Sequence, residues 1–67
     1  MSDIDEMRAI ERDLASEERA FRDISERIAD CQDWAIRQGL LARLDARRRN
    51  IACLRSDLRL CAERLKP

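Results

Sequence analysis

The chain has sixty-seven residues, fourteen acids balanced by fourteen bases, one glycine and one proline, which bounds it to a single small domain at residues 1–67. Its 45% hydrophobic content excludes a disordered tail, and the lack of Val and Thr excludes a sheet protein. Ala, Leu, Arg, Glu and Asp dominate instead, the bias of long helices and coiled coils.

The charge is neutral in sum and segregated in space. Residues 1–33 hold eleven acids against five arginines, and residues 34–67 hold three acids against nine bases. Two halves of opposite sign attract, so neutrality here reads as internal pairing. No apolar stretch is long enough for a membrane span or a signal-peptide core, and a cytoplasmic location is expected.

In chain order, Ser2 followed by Asp5 and Glu6 predicts an N-cap with acids at the positive end of a helix dipole. Steps of three and four then carry a heptad seam through Met7, Ile10, Leu14, Glu17, Phe21, Ile24, Ile28, Cys31 and Ala35. A second seam reads Leu40, Leu44, Arg47, Ile51, Leu54, Leu58, Cys61 and Leu65. The two seams are out of phase by two residues, about 200° around a helix, so one continuous helix would put its apolar stripes on opposite sides. Gly39 stands at that break and predicts a C-cap, and Pro67 is expected to close the second helix.

The fold expected is therefore all-α: an antiparallel, coiled-coil-like two-helix hairpin with helix 1 at about 3–36, a turn at about 37–39 and helix 2 at about 40–65. Folding back at Gly39 predicts layers pairing Ala35 with Leu40, Cys31 with Leu44, Ile28 with Arg47, Ile24 with Ile51 and Glu17 with Leu58. It also places Glu18 by Arg55, Asp13 by Arg64, and Trp34 against Arg43 as a cation–π pair. On this register Glu17 and Arg47 stand too far apart to meet within one hairpin. Each is expected either to snorkel out of the seam or to find a partner across a subunit interface.

A lone two-helix seam buries each side chain on one side only, and helix 2 carries apolar residues beyond its seam. Dimerisation into a four-helix bundle is the expected remedy.

The residue inventory argues against catalysis. Histidine and tyrosine are absent, no glycine-rich phosphate loop is present, and no nucleophile has a base at usable spacing. Cys31, Cys53 and Cys61 are an odd, dispersed set, suited to free thiols acting as small hydrophobes; no metal and no cofactor is expected. The function expected is that of a non-enzymatic protein-interaction module, an adaptor or inhibitor acting on a larger protein. Thirteen arginines to one lysine suit a GC-rich bacterium or its phage. The candidate interface residues are Trp34, Ile36, Arg37, Leu41, Cys53 and Leu60, by the preference of helix-on-helix contacts for aromatic, arginine and apolar anchors.

The alternative is nucleic acid. Arg43, Arg47, Arg48, Arg49, Arg55 and Arg59 recur along helix 2, and arginine at one-turn spacing follows a phosphate backbone. In architecture such a hairpin dimer resembles the Rop family of small RNA-binding proteins; the resemblance covers topology and no residue motif. Zero net charge, an acidic helix 1 and the lack of interleaved aromatics favour the protein target.

Overall fold

A computed structural model describes residues 2–67. It is all-helical, with α1 at Asp3–Asp30 and α2 at Trp34–Arg64 packed antiparallel into a rod of 52 × 16 × 14 Å. No helix of the described residues is long and apolar enough to cross a membrane.

The start of α1 follows the sequence reading. Ser2 has extended backbone, and its hydroxyl accepts the Asp5 N–H at 3.2 Å; Asp3, Asp5 and Glu6 fill the first turn. Capping removes one of the four unpaired N–H groups of a helix end, and the carboxylates complement the dipole.

The fold-back lies earlier than the glycine. Cys31, Gln32 and Asp33 form the whole connection, and Gly39 sits inside α2. Cys31 ends α1 with extended backbone while its N–H still bonds the Ile28 carbonyl at 3.2 Å; the Cys31 thiol donates to the Asp33 carbonyl at 3.4 Å. Asp33, also extended, caps α2 by accepting the Ile36 N–H on its carboxylate at 3.0 Å. A link built from extended residues and an aspartate cap needs no left-handed residue, and no described residue has positive φ. The expected boundaries at 36 and 40 are corrected accordingly.

Moving the turn displaces the register by about one heptad, which the periodicity alone permits because a still faces d after the shift. Ile24, Ile28 and Leu40 are buried together, with Cys31 and Leu44 packed against them. Ile51 and Cys61 are buried further along, and Met7, Ile10, Leu14, Phe21, Leu54 and Leu58 are half-buried. Both seams therefore face inward except at Ala35 and Leu65, but the layers drawn from Gly39 are not the observed ones. Ala35, predicted as a seam residue, is exposed in the first turn of α2, and Leu65 lies beyond the helix. At the open end the Cys61 thiol donates to the Asp3 carbonyl at 3.4 Å, closing the tail of α2 on the head of α1.

Candidate interaction surfaces

The shifted register brings together two residues expected to be apart. The Arg47 guanidinium donates to both carboxylate oxygens of Glu17 at 3.1 Å, with Glu17 the more buried partner. The two polar interruptions of the seams thus satisfy each other within one hairpin, and neither needs a subunit interface. Arg64 donates to Glu6 at 3.1 Å near the open end. The hydrogen bond that Arg64 donates to Glu6 raises the Arg64 pKa above its ordinary value. A raised folded-state value means any stabilisation from the guanidinium's side is fully present below its ordinary pKa and fades only above it. These two are the ion pairs among the described residues. The expected pairs Glu18–Arg55 and Asp13–Arg64 do not form, because their levels are a heptad apart from those predicted.

The expected Trp34–Arg43 contact is also replaced. Trp34 is the first residue of α2 and is 75% exposed, while Arg48 lies over the Phe21 ring at 6.0 Å. Ring and guanidinium cover the seam at mid-length.

The hairpin has two broad faces. One holds a shallow groove floored by Phe21, Ile51 and Ala52 and rimmed by Glu18, Arg22, Arg48 and Arg55. Along the same side, Glu18 and Arg22 continue to Glu11 and Ala15, and Arg48 continues to Leu41 and Asp45. The opposite face carries two further depressions. One runs between Asp13, Ser16 and Cys53, and the other between Glu6, Ile10 and Leu60.

All six candidate interface residues are exposed, but they do not form one patch. Trp34 and Leu41, one heptad apart, belong to the groove face; Cys53 and Leu60, also one heptad apart, belong to the opposite one. Ile36 and Arg37 stand just past the turn, with Ile36 59% exposed. Sequence reasoning missed Phe21, Arg22 and Arg48 as a joint surface, since it needs the true register; Ile4, 49% exposed, was legible as an apolar residue off the seam.

The candidate phosphate-binding arginines are dispersed too. Arg47 is committed to Glu17, Arg48 and Arg55 rim the groove, Arg59 is exposed one heptad along from the groove-floor residue Ala52, and Arg43 and Arg49 are exposed elsewhere on α2. The described residues contain no group of three or more His, Cys, Asp or Glu side chains able to hold a metal ion. Cys31 is half-buried, Cys53 exposed and Cys61 fully buried, all free thiols.

Comparison of the chain with protein-family models, curated proteins and solved structures gives no match.

Proposed function

We propose that the chain is a non-enzymatic helical interaction module that self-associates into a four-helix bundle and packs on a larger protein as an adaptor or inhibitor. The observation that carries this reading is the mismatch between core and surface. Five of the described residues are buried, whereas Ile4, Trp34, Ile36, Leu41, Leu60 and Leu65 keep 38% to 75% of their surface exposed. Apolar area of that extent on so thin a rod gains most when another helical face removes it from water.

The nucleic-acid alternative has less support. Its central arginine, Arg47, is held in the seam by Glu17, Arg43 and Arg49 lie off the groove face, and Arg48 and Arg55 share that face with Glu18. A salt-sensitive shift of labelled RNA or DNA, lost on replacing Arg47, Arg48 and Arg49 together, would favour it over the protein reading.

Sedimentation equilibrium tests the self-association directly. The expected mass is close to twice the 7.9 kDa of one chain. A stable monomer at every accessible concentration contradicts it.

A further inference from the structure

Two ladders run at matched height along the groove face. Ile4, Glu11, Glu18 and Ser25 follow one another in steps of seven on α1, and Ala62, Arg55, Arg48 and Leu41 do so on α2 in the opposite direction. The Asp3–Cys61 and Glu17–Arg47 contacts on one side and the Phe21–Arg48 contact on the other bracket the register in which Ile4 stands near the level of Ala62 and Glu18 near that of Arg48. Glu11 and Arg55 fall level between them. Among the described residues, Glu11, Glu18, Arg48 and Arg55 all lack an ion-pair partner.

We infer that a second copy of this chain packs on the groove face, rotated about the long axis so that both turns lie at one end and α1 of each copy rests on α2 of the other. This rests on the self-association proposed above and assigns its surface and orientation. The rotation sets Glu11 against Arg55 of the other copy and Glu18 against its Arg48. Ile4 then meets Ala62, and Ala15 meets Ala52, small enough at mid-length for close approach. One like-charged meeting, Arg8 with Arg59, falls towards the solvated open end.

The opposite face does not offer this match. There Glu6 and Arg64 already pair within the chain, and the same rotation sets Asp13 on Asp57 and Arg27 on Arg43. Stacking end over end instead lays acidic α1 on its own copy and basic α2 on its own copy, against the segregation of charge between the helices. With the groove face covered, Cys53 and Leu60 remain outward for a different protein.

Charge reversal separates the possibilities. E11R/E18R and R48E/R55E are each compared with the wild-type chain by sedimentation equilibrium, with circular dichroism confirming that helicity is retained. Each variant alone should self-associate at least about tenfold more weakly, through like-charge contacts. An equimolar mixture should return to the wild-type dimer mass, since every reversed residue then faces its complement. A wild-type dimer indifferent to both reversals, or reversals whose mixture stays dissociated, overturns the assigned face and orientation while leaving self-association standing. A monomeric wild-type chain overturns both.

Discussion

Glu17 and Arg47 interrupt two otherwise apolar seams and close on each other at 3.1 Å. Apolar seam positions repeat every seven residues and tolerate a displaced register; a carboxylate and a guanidinium in the same seams tolerate only the one that joins them. Replacing either alone by leucine leaves a half-buried charge unpaired and is expected to cost about 1–3 kcal/mol. The double replacement should recover most of that loss, giving a coupling of roughly 0.5–3 kcal/mol in a denaturant double-mutant cycle. Strictly additive losses would mean that the pair does not act as a unit. Both residues were legible as seam polar residues. Their partnership was not, because heptad phase fixes which side chains face inward but not which layer meets which.

At the scale of the elements, the Ser2 cap, the two helices and both apolar seams were readable from residue spacing and composition. The turn was not. The phase break permits a fold-back anywhere between Cys31 and Leu40, and glycine, the strongest single turn signal, outweighed an aspartate cap at Asp33. The observed link has no positive φ, so it gains nothing from glycine. Gly39 is instead an exposed interior residue of α2, and a β-carbon built there meets nothing within 4 Å. Gly39→Ala should therefore stabilise the hairpin by about 0.5–1 kcal/mol and raise the melting temperature by several degrees. If the chain instead turned at position 39 in a left-handed conformation, the same substitution would lower it.

For the whole molecule, the register decides which residues share a face, and hence which surfaces meet a partner. A turn at Cys31–Asp33 groups Phe21 with Arg48 and leaves Glu18 and Arg55 unpaired beside it; a turn at Gly39 would group them otherwise. Segregated charge and the surplus of apolar residues on α2 were visible in the sequence, whereas the two faces required the fold-back to be located. A nitroxide on Cys53, with Cys31 replaced by serine and fully buried Cys61 unreactive, measures that location. The labelled, isotopically enriched chain is diluted into unlabelled protein so that only contacts within one hairpin are read. The strongest amide broadening on α1 should fall on Asp13, Ser16 and Glu17, which line the same depression as Cys53. Broadening centred instead on Arg22 would place the turn at Gly39 and contradict the register.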